Sequence, residues 1–303
     1  MILPVCLLKT RSLQETKGVL WMEKESVNAQ DTPVVMNLSD LYMYYSYDEL
    51  NYPAWLRSTG CRRFYIGSGF CSKYFLKSLG RSGNEICRYA MENECSLSVT
   101  VPVPSDRWTG PVKKALAGFL YDQPAVDEVT VNDYGMLDFV SKFREESGLD
   151  FSIAAGRLFF KNYRDPRYRE QQEGKTVCFF PPVLAGMVDA VELDICSSEM
   201  DVSSIPGDIG IYYHYPFSYV TCTQYCEFAS VINPETRRFR TEMLCGLKCM
   251  DAVIRTDADG AELIHAGKGV YTPVPGGFRS SRSADRYIYW PLREFLEMEG
   301  RML

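Results

Sequence analysis

Apolar and polar positions along the chain follow two periods in turn. Short runs rich in β-branched and aromatic residues at 32–37 (TPVVMN), 63–66 (RFYI), 96–103 (SLSVTVPV), 128–131 (EVTV) and 150–155 (DFSIAA) read as strands. Between them, 41–51, 83–93, 110–121 and 134–147 show helical spacing. Pro53 marks the end of the first helix, Pro111 suits a first helical turn, and Gly148 closes the last. One strand and one helix recur roughly every 25–30 residues, the rhythm of a parallel sheet or barrel.

The rhythm breaks at 156–187, where Arg164-Asp165-Pro166-Arg167 and a polar run over 169–175 predict a long surface insertion. Strands resume at 190–193, 209–213 and 219–221. Residues 273–286 read as an arginine-bearing loop, and a helix runs from Pro291 to about Glu299. Eight strands result, so the expected fold is an α/β, TIM-like (β/α) barrel carrying a long insertion at about 156–187. A doubly wound open sheet is the second choice, but neither a GxGxxG nor a P-loop motif supports it. Residues 1–30 are expected to form an N-terminal arm and 31–303 a single domain.

The chemistry concentrates in cysteine. The chain has 303 residues and 11 cysteines, an odd number in a chain too long to need disulfide staples. Most cytosolic cysteines are small buried hydrophobes, which accounts for Cys6, Cys61, Cys87, Cys95, Cys178 and Cys196. Cys222, Cys226, Cys245 and Cys249 crowd into one loop-rich stretch, in two pairs that each enclose three residues. Thiolates in such numbers bind zinc or an iron–sulfur cluster, and spacing alone leaves both open, as well as buried free thiols. Cys71 follows the strand at 63–66 through Gly67-Ser68-Gly69, and Cys226 also lies past the C-terminal end of a strand. In a barrel those ends share one face, where sites are built, so Cys71 can approach Cys226 across the mouth.

The stretch 63–73 (RFYIGSGFCSK), a strand with a short glycine turn and a cysteine, together with 219–229 and the Cys245-x-x-x-Cys249 pair, resembles the peptidase U32 (collagenase-like) family. The resemblance covers roughly residues 60–255 and is closest to its iron–sulfur members. It implies a (β/α) barrel and a 4Fe–4S cluster held by Cys71, Cys226, Cys245 and Cys249. It also implies an enzyme or enzyme subunit in oxygen-independent hydroxylation, of the kind in ubiquinone biosynthesis with a prephenate-type oxygen donor, working with a second U32-like subunit in a heterodimer. Cys222 is an additional thiol that could replace Cys226, and a non-catalytic partner subunit is the alternative role. A zinc-stabilised binding module and a peptidase are the remaining readings. Peptidase activity lacks support in the residues: His214 and His265 are the two histidines, and neither an HExxH nor a GxSxG motif is present.

Three further candidate sites lie near the cysteines and strand ends. His214, and Asn132 with Asp133, are candidates for catalytic or orienting roles at the mouth. A structural histidine and helix capping are the alternatives. Arg237, Arg238 and Arg240, between the cysteine pairs, are candidates for offsetting thiolate charge or binding an anionic small-molecule substrate. A net charge of −6 argues against general nucleic-acid binding. The sequence lacks a run of about 18 apolar residues, so a membrane span is not expected. The apolar start, interrupted at Lys9 and Arg11, is not that of a signal peptide, and the expected location is the cytoplasm.

Overall fold

The computed structural model describes residues 32–40, 52–160, 176–222, 225–232, 245–247, 249, 253–258, 260–274 and 276–292. In chain order these form β1 (Val34–Asn37), α1 (Tyr52–Thr59), β2 (Arg63–Gly67), α2 (Ser72–Ser78), α3 (Arg81–Glu92), β3 (Ser96–Thr100), α4 (Asp106–Asp122), β4 (Val126–Val131), α5 (Tyr134–Ser147) and β5 (Ser152–Ala155). There follow β6 (Thr176–Val177), β7 (Ala190–Asp194), β8 (Glu199–Asp201), β9 (Gly210–Tyr215), β10 (Phe217–Cys222), α6 (Glu227–Ile232), β11 (Ile254–Ala258), β12 (Ala261–Ala266), β13 (Gly269–Pro273), β14 (Arg279–Ser280) and β15 (Arg286–Tyr289).

Eight parallel strands close a barrel in the order β1-β15-β9-β7-β5-β4-β3-β2, confirming the expected TIM-like α/β architecture. Two smaller sheets accompany it: β10-β13-β12-β11, antiparallel, and the short β14-β8-β6.

Strand alternation divides the apolar side chains into two cores. Residues such as Met36, Phe64, Ile66, Leu97, Val99, Val129, Ile153, Val191 and Ile211 point outward and pack beneath the helices in the larger cluster. Val35, Tyr65, Ala154, Ala190, Tyr212 and Ile288 form a separate small cluster inside the barrel. The interior is strongly polar for a barrel. Glu128 accepts hydrogen bonds from Tyr65 (2.9 Å), Ser98 (2.7 Å) and Arg286 (2.9 Å), and Arg286 also reaches the Tyr212 hydroxyl at 3.0 Å. Arg63 is held by Asp127. A charge taken out of water needs such partners, because desolvation otherwise costs several kcal/mol.

Several local expectations change. The strand expected at 219–221 exists as β10 but is not a barrel strand; it pairs antiparallel with β13. The eighth barrel strand is instead β15, which pairs with β1 and β9 and directly follows the stretch read as an arginine loop. Pro53 stands in the first turn of α1, where its missing N–H costs nothing. The stretch 110–121 lies within a longer helix, α4, which takes Pro111 inside it. Within the expected insertion, the described residues 156–160 and 176–187 form two short 3-10 turns, at 157–159 and 182–184, and β6. The arm at 1–30, the helix at 41–51, the arginines of 161–175 and the helix beyond Pro291 lie outside the described residues, apart from its first positions. Among the described residues, no helix is long and apolar enough to cross a membrane.

Candidate functional site: thiols and a polar pocket at the barrel mouth

The turn after β2 places Cys71 by main-chain geometry. Gly67 adopts a left-handed φ of 93°, and a Cβ there would run into the Thr100 carbonyl oxygen. Only glycine tolerates both. Ser68 then donates its backbone N–H to Thr100 O at 3.0 Å. Asp40, just past the end of β1, accepts from the Ser68 hydroxyl and, at 2.7 Å, from the Gly69 N–H. The Ser68 Oγ in turn accepts from the backbone of Cys71 at 3.0 Å. Cys71 ends the turn as the N-cap of α2, its sulfur accepting from Tyr74 N at 3.5 Å.

Cys226 is built the same way on a different element. It lies immediately before α6, and its thiol receives the backbone N–H groups of Phe228 and Ala229. His265 of β12 holds α6 against the antiparallel sheet through Glu227, at 2.8 Å. Two of the four expected ligand cysteines therefore cap helix N-termini, where the peptide dipoles favour a thiolate.

The four sulfurs act on one another in every pairwise combination. Cys226 and Cys245 raise the Cys71 thiol; Cys245 raises Cys226; and Cys226, Cys71 and Cys245 all raise Cys249. Burial is the larger cause in each case and pushes the Cys71 thiol up to about 11. Lys268, in the turn between β12 and β13, lowers both Cys71 and Cys226. Cys222 closes β10 opposite Gly269.

The donor set suits a four-thiolate group in kind: soft sulfur ligands, two of them at helix caps, with a lysine beside them. As the side chains stand, no three of the described His, Cys, Asp and Glu groups converge closely enough to close on one ion. Four neighbouring thiols are present, and their closure onto a metal is the step that binding would supply.

Beside Cys71, Phe70 turns from the thiols to a polar pocket in the barrel mouth. Asn37, Ser39, Asp40, Asn132, Arg157 and Trp290 line it, with Glu192, His214 and Tyr271. Phe70 stacks on Tyr219 with centroids 5.0 Å apart, and Tyr271 packs on Trp290 at 4.5 Å, so an aromatic layer joins the pocket to the antiparallel sheet. Asp194 ties the two units together by accepting the Tyr219 N–H at its Oδ1 at 2.7 Å, and Arg157 Nη1 sits 3.4 Å from the same oxygen. His214 on β9 and Glu192 on β7 meet inside the barrel, Nε2 to Oε2, at 2.9 Å. Thr130 donates to the remaining Glu192 oxygen at 2.7 Å. Burial pushes the Glu192 carboxyl up to about 7, although Thr130, Arg157, Arg286 and Tyr65 pull it down.

The sequence-derived candidates separate accordingly. His214 and Asn132 both line the pocket, and Asn132 donates to Val101 O at 3.0 Å. Asp133 caps α5 by accepting from Met136 N at 2.9 Å and does not line the pocket. Arg237, Arg238 and Arg240 lie outside the described residues. Glu192, Asp194, Asp40 and Lys268 escaped the sequence reading. Acidic residues inside a parallel strand buried on both faces were the available signal, because such a strand is otherwise apolar.

A larger cavity of about 650 Å³ opens at the opposite end of the barrel, against Cys61, Arg62, Arg63, Asp285 and Arg286. Its arginines are engaged: Arg62 with Asn93 O, Arg63 with Asp127, and Arg286 with Glu128. Functional groups of (β/α) barrels gather at the C-terminal ends of the strands, so the smaller pocket beside the thiols is the candidate site.

One more arrangement invites catalytic interpretation. Thr256 Oγ1, His265 Nε2 and Nδ1, and Glu227 Oε2 form a hydroxyl–imidazole–carboxylate chain with spacings of 2.9 and 2.8 Å. Thr256 is exposed on β11, however, and neither cavity described above includes it. The chain of bonds anchors α6 to its sheet.

No family model matches the sequence, and no curated protein does. Among solved structures, a class V chitinase from Pseudomonas fluorescens is 12% identical, with 80% of this chain and 88% of that chain covered, at a TM-score of 0.36. The spore cortex-lytic enzyme SleL of Bacillus megaterium is 11% identical over 97% of this chain and 71% of that one, at a TM-score of 0.29. Likenesses this distant say nothing about the chemistry of this chain.

Proposed function

We propose that the protein holds a metal–sulfur group of the 4Fe–4S type on Cys71, Cys226, Cys245 and Cys249, and works as an enzyme or enzyme subunit in oxygen-independent hydroxylation. What supports the first half is that these four thiols, from three separate chain segments, act electrostatically on one another. The second half rests on the resemblance of the same segments to the peptidase U32 family. When bound, such a cluster supplies electron transfer or a Lewis-acidic iron.

The protein's own residues do the rest. The Asp40–Ser68–Gly69 turn positions Cys71, Lys268 offsets thiolate charge, and Phe70 stacks on Tyr219 between the turn of Cys71 and the antiparallel sheet. The pocket behind Phe70 is polar and buried, which suits a small molecule with several hydrogen-bonding groups.

A zinc knot of Cys222, Cys226, Cys245 and Cys249 would leave Cys71 out of the centre, against its coupling to the other three. A peptidase would need a nucleophile at a cavity, which the Thr256 chain lacks. A role as partner to a second U32-like subunit remains compatible with the same cluster. Replacing each thiol in turn tests the assignment: Cys71→Ser and Cys249→Ser abolish metal retention under this proposal, whereas Cys222→Ser retains it. Loss of metal in Cys222→Ser with retention in Cys71→Ser would replace it with the zinc knot.

A further inference from the structure

The barrel interior carries a second chemical element, independent of the thiols. Its parts come from adjacent strands in a fixed register: Glu192 opposite Tyr212, and Asp194 opposite His214. Glu192 and His214 are almost wholly buried and joined at 2.9 Å. Both line a pocket with a free volume of about 20 Å³. A water molecule needs about 10–15 Å³ by that measure and two to four polar partners. Two further partners are present in the lining. Asn132 Oδ1 and Trp290 Nε1 belong to side chains at least nine-tenths buried, and neither atom has a hydrogen-bond partner among the described residues. One is an acceptor and the other a donor. An unsatisfied buried polar atom costs about 1–3 kcal/mol, so a pair of them beside water-sized space points to an occupant.

We propose that His214 and Glu192 form a proton-transfer pair acting on a water molecule held in this pocket by Asn132 and Trp290. His214 is the catalytic base, and Glu192 is a positioning residue that fixes the ring and stabilises its protonated form. The step moves one proton from the water oxygen to the imidazole; the water becomes hydroxide, and the pair gains one positive charge. Glu192 balances the imidazolium, and the Arg157 guanidinium on the pocket wall offsets the hydroxide. Neither an oxidant nor a reductant is involved. The arrangement supplies an activated oxygen nucleophile at the mouth of the barrel.

The charged and titratable groups around the pair set its working range. Arg157 and Arg286 face Glu192 and favour its ionised form, as do hydrogen bonds from Thr130 and Tyr65. Glu128 lies further down the barrel with Arg286, Asp40 and Tyr271 line the pocket, and Asp194 sits beside Arg157 of its wall. Burial opposes ionisation and outweighs the cations, so the Glu192 carboxyl is pushed up to about 7.

The chain contains only two histidines, so ring-nitrogen NMR of the full-length protein resolves the pair directly. His265→Gln assigns the signals. The proposal expects the His214 signal to titrate between about pH 6 and 8, and Glu192→Gln to lower its midpoint by at least about one pH unit, a tenfold loss of proton affinity. Glu192→Asp retains part of the effect. A His214 signal that stays flat from about pH 5 to 9, or a midpoint that Glu192→Gln leaves in place, overturns the pair. A crystal structure completes the test. An oxygen atom within hydrogen-bond reach of both His214 and Asn132 is expected, and a pocket without one overturns the water. Neither measurement depends on metal content, so this inference and the cluster proposal fail separately.

Discussion

Cys71, the cap of α2, and Cys249, from the last cysteine pair, each lie within electrostatic reach of the other's sulfur. They are distant in sequence, yet Cys226 and Cys245 act electrostatically on both. The geometry that produces this begins at Gly67, whose turn directs the chain from β2 to Cys71.

Gly67 is accordingly the most sensitive position outside the cysteines. Gly67→Ala brings a methyl group into the Thr100 carbonyl and forces a left-handed φ on an alanine. A loss of stability of about 1–3 kcal/mol is expected, with a weaker hold on metal than Cys222→Ser shows. Thermal denaturation and metal analysis of the two variants, prepared side by side, check this. An unchanged Tm would mean that the turn relaxes and does not position Cys71.

Glu128 anchors the lower barrel. Glu128→Ala strands the buried Arg286 guanidinium, whose partners would fall to the Tyr65 and Tyr212 hydroxyls. A destabilisation of about 3–5 kcal/mol is expected from denaturant unfolding. Tyr212→Phe removes one hydroxyl from the same network and leaves the cation–π contact of Arg286 on the ring, at 3.8 Å. It should cost only about 0.5–1.5 kcal/mol. Equal costs for the two variants would contradict the pairing described.

Glu192 gives the fold a pH dependence of definite sign. Its carboxyl rises from 4.5 in the unfolded chain to about 7 in the folded protein. The folded state therefore binds more protons between those values, and stability falls as pH rises through that window. Glu192→Gln should flatten this slope. Denaturant midpoints of both proteins at pH 5, 6 and 7 measure it, and parallel curves would show that Glu192 does not contribute.

Much of the barrel was legible because parallel strands buried on both faces leave short apolar runs separated by helical spacing. The runs ending at Asn37, Gly67, Val131 and Ala155 all became barrel strands. What failed was assigning strands to sheets. An apolar run at 219–221 carries no sign of its partner, and only the three-dimensional path after Pro216 places it antiparallel to β13. The run at 286–289 overlaps the loop read over 273–286 only at Arg286, and it follows so closely on that serine- and arginine-rich stretch that no strand was assigned there. The short helix α2, seven residues long, covers too few turns for a period to emerge.

The site was partly legible for the same reason. Cysteines past strand ends can be placed on one face once the barrel is recognised, which brought Cys71 to Cys226. The carboxylates of Glu192 and Asp194 sit inside the run AVELD, where alternation alone suggests solvent-facing positions. Closure of the barrel turns those positions inward, and their meaning then depends on His214 from the neighbouring strand.

The account is tested most directly by the iron, sulfide and zinc content of the full-length protein purified without oxygen, together with its visible absorption spectrum. About four irons and four sulfides per chain, with a broad visible band that Cys71→Ser removes, are predicted. One zinc per chain and no colour, unaffected by Cys71→Ser, would contradict the four-thiol centre proposed at the barrel mouth.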